Sequence, residues 1–430
     1  MKSSLGHRIL LGNYALLWRV ARPFLRCHKR LKSDFAERVS PEWWRRCDLW
    51  IQAASGGESY LAVTLMAALN ERAAKAQRPL RILCTSCTTQ GLEVLEKARA
   101  AATEKWPHLE VAVRVFPLDE PKIMRKALSF ASPKLVVLLE TELWPGLMGA
   151  CAENAIPMMV VNGRMTDKSL AGYMVVESLW ETVAPERVLA MSEEDAARFA
   201  EIFGYDRVAV MPNMKFDAVP EALPPLDAAS PAARFLPGKG DVILLASVRE
   251  EEEALLPPVI EYLREHALQS VIVVAPRHME RVPAWKERYP EAVLRSALRS
   301  SAHGEAAQPG SLVIWDAFGE LTGLYAKAKA VFVGGSLAKL GGQNFLEPAG
   351  YGKVPIIGPH WKNFAWVGEE FFTSGLGVRV ENAGELGPML LAALRHAPDT
   401  ETVRNKLAAY IATRRGGTEL AADAVWKALQ

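Results

Sequence analysis

Cysteine is scarce in this chain: five in 430 residues, an odd number. Such a set does not read as a disulfide framework, so a reducing compartment is expected. Cys84 and Cys87 form a C-x-x-C, but no second C-x-x-C and no H-x-x-x-H completes a zinc site. Two small residues at a strand end is the reading taken. Charge imbalance is also missing: 51 Lys and Arg stand against 49 Asp and Glu, a net +2. That removes any global case for nucleic acid as a partner and leaves only local patches. Asp-x-Asp is absent, so a metal-chelating nucleotide site has no obvious ligands. No G-x-G-x-x-G follows the first apolar strand, which argues against a Rossmann dehydrogenase. The apolar stretch from Ile9 to Trp18, broken by Gly12 and Asn13, falls short of the ~20 residues that span a bilayer. No small-residue cleavage site follows it, so a removable signal peptide is not expected.

What is present is globular and repetitive in architecture. Half the residues are hydrophobic and 23% are charged, and the length favours two domains. Residues 1–47 mix Phe24, Leu25 and Leu31 with Arg26, Lys29, Arg30 and Lys32 at helical spacing. That pattern suits a segment lying on an anionic membrane surface, or an amphipathic helix packed on its own domain. From residue 48 to 217, short apolar runs alternate with helical stretches. Leu135 to Leu139 is wholly apolar, and Met158 to Val161 and Val188 to Met191 resemble it. Residues 218–238 carry five prolines without periodicity and read as a linker. A second alternating series fills 239–430, with Val271 to Val274 and Val331 to Val333 among its strands. Residues 296–310 read as an excursion, and a last helix packs back across the junction. Continuous apolar strands between helices predict an α/β chain of two doubly wound parallel sheets.

Ligands in such sheets bind beyond the carboxyl ends of the strands. In the first half those ends carry Ser55-Gly56-Gly57-Glu58, Glu140-Thr141-Glu142, Asn162-Gly163-Arg164 and Lys215. In the second they carry Ser247, Pro276-Arg277-His278, Asp316 to Glu320 and Gly358-Pro359-His360. Two loaded edges predict a cleft between the domains. Acids after a wholly apolar strand are costly unless they meet partners or a ligand. Lys215 and Arg277 are cations suited to an anionic donor or leaving group.

The most conspicuous stretch runs from Phe332 to Ala349. A strand stops at Gly334-Gly335, a second pair follows at Gly341-Gly342, and a helix is predicted to open with Asn344 and Glu347. A tight β-α turn accounts for the glycines alone. Bare backbone leading into a helix N-terminus also favours an anion, and the added Asn and Glu point to a phosphate-and-ribose site.

These residues resemble the 3-deoxy-D-manno-octulosonic acid (Kdo) transferases, GT-B glycosyltransferases of lipopolysaccharide assembly. The resemblance rests on Ala54 to Glu58, on Glu140-Thr141-Glu142-Leu143-Trp144-Pro145, and on Asn162-Gly163-Arg164 with Gly172-Tyr173. Asn213 to Asp217, Ala275 to His278, Gly319-Glu320-Leu321, the 332–349 stretch and Gly358-Pro359-His360 continue it in family order. It implies two Rossmann-like domains and inverting transfer of Kdo from CMP-Kdo to a lipid A precursor. The expected place is the cytoplasmic face of the inner membrane, reached peripherally or by an N-terminal anchor.

By that resemblance Glu58 is the general base, and Glu140 and Lys215 support the transition state. Pro276, Arg277, Phe318, Gly319, Glu320, Asn344, Phe345, Leu346 and Glu347 would hold CMP. No metal is expected. The chain departs from the family at Gly57 for valine, Gln343 for histidine, Phe345 for proline and Pro212 for glycine. Ser247-Val248-Arg249-Glu250 replaces a serine-threonine-histidine run. The alternatives are a UDP-sugar transferase or epimerase of the same architecture, and a two-lobed binding protein.

Overall fold

The computed structural model describes residues 5–28, 31–140, 143–220, 223, 225–236, 241–298 and 306–430. Expectations placed on Lys29, Arg30, Thr141, Glu142, Pro224, Pro237 and residues 299–305 of the excursion lie outside the described residues. The chain divides into two units, Met1–Ala218 with Arg414–Gln430, and Val219–Thr413.

The first unit holds β1 (Leu49–Gln52), β2 (Leu80–Ser86), β3 (Leu109–Val115), β4 (Leu135–Leu139), β5 (Met158–Gly163), β6 (Arg187–Ala190) and β7 (Val208–Val210). They pair in parallel in the order β3-β2-β1-β4-β5-β6-β7. The chain runs outward from β1 to β3 and returns to β4, so the topological switch point lies between β1 and β4. Side chains of β1 alternate between two cores. Trp50 joins Phe116, Val136 and Trp180 on one face. Leu49 and Ile51 join Leu65, Val137 and Val425 on the other. Burial on both faces is why these strands read as unbroken apolar runs.

The second unit repeats the plan with β8 (Val242–Val248), β9 (Val271–Pro276), β10 (Val293–Leu294), β11 (Leu312–Ile314), β12 (Ala330–Val333), β13 (Pro355–Ile357) and β14 (Val378–Arg379). Their order is β10-β11-β9-β8-β12-β13-β14, again parallel, with the switch point between β8 and β12. The edge strands β10 and β14 escaped the sequence reading because two residues carry no period.

Three boundaries need correction. The supposed linker 218–238 contains the helix Pro231–Phe235, whose N-cap Ser230 Oγ accepts from the Ala233 amide at 3.3 Å. Phe235 is buried beneath the Arg295 guanidinium, 5.3 Å from its ring centroid, so the segment is packed onto the second unit. The N-terminal segment is not a separate body either. Its helix Leu5–Leu25 enters the first core through Leu11, and the Tyr14 hydroxyl donates to Asp119 Oδ2 at 2.9 Å. The last helix, Gly417–Ala428, packs back as expected, on the helix Gly56–Lys75, but it belongs to the first unit, so the second ends at Thr413 and not at 430. All five cysteines are free thiols, and among the described residues no cluster of His, Cys, Asp or Glu could hold a metal ion.

Candidate active site

Glu58 sits in the first turn of the helix Gly56–Lys75, directly after β1. Ser55 is the N-cap, its Oγ accepting from the Glu58 amide at 3.4 Å. The Glu58 carboxylate reaches back, taking the Ala54 amide at 2.6 Å and the Ser55 hydroxyl at 3.0 Å. This reciprocal cap fixes the side chain in one orientation at the switch point. A carboxylate offers about four acceptor sites, so capping and proton abstraction are compatible roles for it. Gly57 beside it faces open space: an added Cβ would meet only Ser55 Oγ at 3.8 Å.

Glu140 follows β4 on the other side of the same switch point. Its φ is +56°, a left-handed backbone that is costly for any residue with a Cβ. Lys215 Nζ lies 2.5 Å from Glu140 Oε1, so the structure brings these two predicted residues together. Lys215 stands on the short turn Met214–Phe216 beyond β7, and two asparagines position that turn. The buried Asn162, also at a left-handed φ of +56°, accepts the Met214 amide at 2.9 Å. Asn213 accepts the Lys215 amide at 3.0 Å. Asp217 then takes the amides of Gly416 and Thr418, at 2.8 and 2.6 Å, and so ties the turn to the start of the last helix. The asparagines were legible as strand-end polar residues; the Asp217 link was not.

In the second unit Pro276, Arg277, Phe318 and Gly319 line one cavity of about 170 Å³ over the ends of β8, β9 and β11. Ser247, Trp315 and Thr322 also line it. Arg277 is exposed and has no carboxylate partner among the described residues, which leaves its charge for an anion. Phe318 is 76% exposed, an unusual setting for a large ring and one that suits stacking on a planar base. Glu347 Oε1 accepts from the Thr322 hydroxyl at 3.1 Å, which brings it to the same wall. Burial pushes its carboxyl above the usual range, against the lowering effect of Thr322.

Other predicted residues occupy structural positions. The Glu320 carboxylate is held by Arg295 at 2.6 and 2.9 Å and by the Trp315 indole N–H at 3.0 Å. It therefore braces the cavity from behind rather than offering oxygens to its interior. Asn344 Oδ1 accepts the Leu346 amide at 3.1 Å. Leu346 is buried, and the Phe345 ring is wholly buried among Trp361, Phe364, Phe371 and Phe372, at 5.1 to 6.3 Å between centroids. The side chains of both are thus taken up by the core. The helix expected there is a single short turn, Leu346–Gly350.

The first glycine pair is not the bare anion cradle that the sequence suggested. The fully buried carboxylate of Glu252 already takes the amides of Gly335, Ser336 and Leu337, at 2.5, 2.9 and 2.7 Å. Gly335 is required there by its φ of +72°. Ser336 Oγ adds a bond from the Gly358 amide at 2.9 Å. The turn is a knot joining the ends of β8, β12 and β13, with an internal anion in the place of an external one. Its signal in the sequence is the acidic run Glu250 to Glu253, of which Glu252 and Glu253 are buried.

Comparison with known proteins follows the same lines. Residues 26–218 match the family described as 3-deoxy-D-manno-octulosonic-acid transferase (kdotransferase). The 3-deoxy-D-manno-octulosonic acid transferase of Bordetella pertussis is 32% identical over 384 residues, 88% of this chain and 86% of its own length. Among solved structures, a glycosyltransferase from Rickettsia africae superimposes with a TM-score of 0.54 at 12% identity, covering 90% of this chain and 99% of that one. The UDP-GlcNAc 2-epimerase of Neisseria meningitidis does so at 0.51 and 12%, covering 89% and 99%. At such identities the two structures establish the GT-B fold and nothing about the substrate.

Proposed function

The chain belongs to the Kdo transferase family of glycosyltransferases, and from that premise we propose that it moves Kdo from CMP-Kdo onto a lipid A precursor with inversion at the anomeric carbon. Glu58, oriented by its cap, takes the proton of the acceptor hydroxyl as that oxygen attacks the sugar. The bond from the anomeric carbon to the phosphate oxygen breaks, and its electron pair leaves on CMP. Arg277 and the cavity it lines receive the nucleotide, with Phe318 available to its base and Glu347 to its ribose. Lys215, fixed against Glu140, supplies positive charge where the transition state needs it. No metal is given a role. Charge on the departing phosphate comes from these side chains.

The acceptor is a lipid, so the reaction belongs at an anionic membrane surface, and we place it on the cytoplasmic face of the inner membrane. Among the described residues no helix is long and apolar enough to cross a membrane. The helix Leu5–Leu25 instead docks by Leu11 and Tyr14 and exposes Leu16, Leu17, Val20 and Phe24 along one stripe, with Arg19, Arg26 and Lys32 exposed nearby. That is the pattern of a helix lying in the interface plane.

The observation that carries the proposal is the pairing of a capped, oriented carboxylate at one switch point with the Glu140–Lys215 pair beside it. The test is to incubate the protein with CMP-Kdo and a tetraacyl lipid A precursor and weigh the product, with Glu58→Gln as the control. Glutamine keeps the cap and loses the base, so transfer should fall about 10²–10⁴-fold while CMP affinity holds. Product formation at the full rate in that variant removes Glu58 from the mechanism. Tighter binding of UMP or UDP than of CMP favours a UDP-sugar enzyme instead.

A further inference from the structure

A second cavity in the donor-binding unit, about 440 Å³, has no role in the reaction as derived above. It lies between the second glycine pair and the loop after β13, lined by Lys339, Gly341, Pro359, His360, Trp361 and Lys362. Its charge is one-sided. Lys339 and Lys362 are exposed and pair with no carboxylate among the described residues, and the His360 ring adds a third nitrogen group. No acidic residue lines it. Two unneutralised ammonium groups around one concavity repel one another and gain most from an anion.

The cavity is also rigid on its apolar side. The Trp361 ring stands edge-to-face with Phe372 at 5.0 Å, touches Phe345 at 6.3 Å and carries the Arg379 guanidinium 5.7 Å from its centroid. The two loops are sewn together. The Asn363 amide donates to Gly341 O at 2.9 Å, its side chain to Leu340 O at 3.2 Å, and the His360 amide to Ser336 O at 2.9 Å. Asn363 packs so closely that a Cβ on Gly341 would lie 2.5 Å from its Nδ2. A fixed indole beside mobile ammonium groups is what an anionic sugar requires: a flat apolar surface for the ring and cations for its charge. The buried Glu252 takes up the amides of Gly335, Ser336 and Leu337, which leaves an anion at this edge of the sheet to side chains.

We propose that Lys339, His360 and Lys362, with the Trp361 ring, form a saccharide subsite that binds a pyranose bearing a carboxylate or phosphate. The subsite deepens the transferase reading and rests on it for the source of the sugar, which is either the carboxylate of the transferred Kdo or a phosphate of the acceptor. The ring stacks on the indole and the anion lies between the two ammonium groups.

The double variant Lys339→Ala/Lys362→Ala tests this, since both side chains are exposed and their loss leaves the fold intact. CMP affinity by calorimetry should stay within about twofold, because the nucleotide cavity is separate. If the anion is the Kdo carboxylate, KM for CMP-Kdo rises at least about tenfold with every acceptor, from the loss of both charged contacts. If it is an acceptor phosphate, KM rises about tenfold for the phosphorylated acceptor and not for a dephosphorylated one. Both KM values within twofold of the unsubstituted enzyme would overturn the subsite. An unsubstituted protein that makes no product with CMP-Kdo counts against the transferase reading instead. The subsite is then judged by saturation-transfer NMR with free Kdo and with glucosamine 4-phosphate. Weaker binding of either sugar to the double variant supports it, and equal binding of both overturns it.

Discussion

Lys215 Nζ stands 2.5 Å from Glu140 Oε1, although the strands they follow, β7 and β4, are three places apart in the sheet. The turn that carries Lys215 crosses the ends of β5 and β6 and is pinned on the way by Asn162. Each partner orients the other over the switch point where Glu58 is capped. Lys215→Ala should lower kcat at least about 10²-fold, the scale of losing one transition-state donor, and leave calorimetric CMP affinity unchanged. Lys215→Arg should recover part of the rate. A kcat within twofold of the unsubstituted enzyme in the alanine variant makes the pair structural.

Glu252 is the predicted stability centre of the second unit. Glu252→Ala leaves three buried amides unsatisfied, at about 1–3 kcal/mol each, and opens a void at the junction of three strands. Urea unfolding should show a loss of at least about 3 kcal/mol. Glu252→Gln keeps one acceptor oxygen and should lose less. If the alanine variant unfolds at the same urea concentration, water or another group satisfies the turn.

The fold was legible because two-faced burial writes itself into sequence: Leu135 to Leu139 is apolar throughout because both faces of β4 are covered. The site was legible as a set of strand ends. What the sequence left hidden was which groups are already spoken for. Glycines at 334 and 335 announce a turn with open amides, but only the register of a distant acidic run reveals that Glu252 takes those of Gly335, Ser336 and Leu337. Glu320 is a similar case, since Arg295 lies on the far side of the excursion and its pairing depends on β10, too short to read. Polar type at a strand end marks the neighbourhood; tertiary partners decide the role.

Metal dependence follows from the charge inventory. Arg277 is an exposed cation on the wall of the cavity proposed for the nucleotide, and the chain has no Asp-x-Asp. Transfer should persist in excess chelator at its initial rate. Complete loss restored by magnesium or manganese would sink this.

Asp217 and Gly417 link the turn that carries Lys215 to the last helix. A Cβ on Gly417 would lie 2.1 Å from the carbonyl oxygen of Pro212, so no side chain fits without moving the segment that leads to Lys215. Gly417→Ala should lower stability by more than the ~1 kcal/mol of an ordinary helix substitution and lower kcat with it, though residue 417 is remote in sequence from every catalytic group. Asp217→Asn removes the charge at the helix start while keeping an acceptor, and should lower kcat less. Equal kcat in all three proteins would mean that the turn holds its place without the helix.

Asp48 sets the acid limit of the first unit. Burial raises its carboxyl pKa, but hydrogen bonds and charge from Arg81 and Lys134 outweigh that and hold it down at about 2. Arg81 bonds it at 3.0 Å and Lys134 at 3.1 Å. Because the folded value lies below the unfolded value near 3.9, the folded state binds this proton more weakly than the unfolded state does. The contribution is therefore complete above about pH 4 and is lost as pH falls towards 2. Asp48→Asn has no proton to gain in that window. Urea midpoints measured from pH 6 to pH 2.5 should fall more steeply for the unsubstituted protein than for the variant, the two curves converging at the acid end. Parallel curves would mean that Arg81 and Lys134 hold Asp48 equally well in the unfolded chain, leaving the acid limit to other carboxylates.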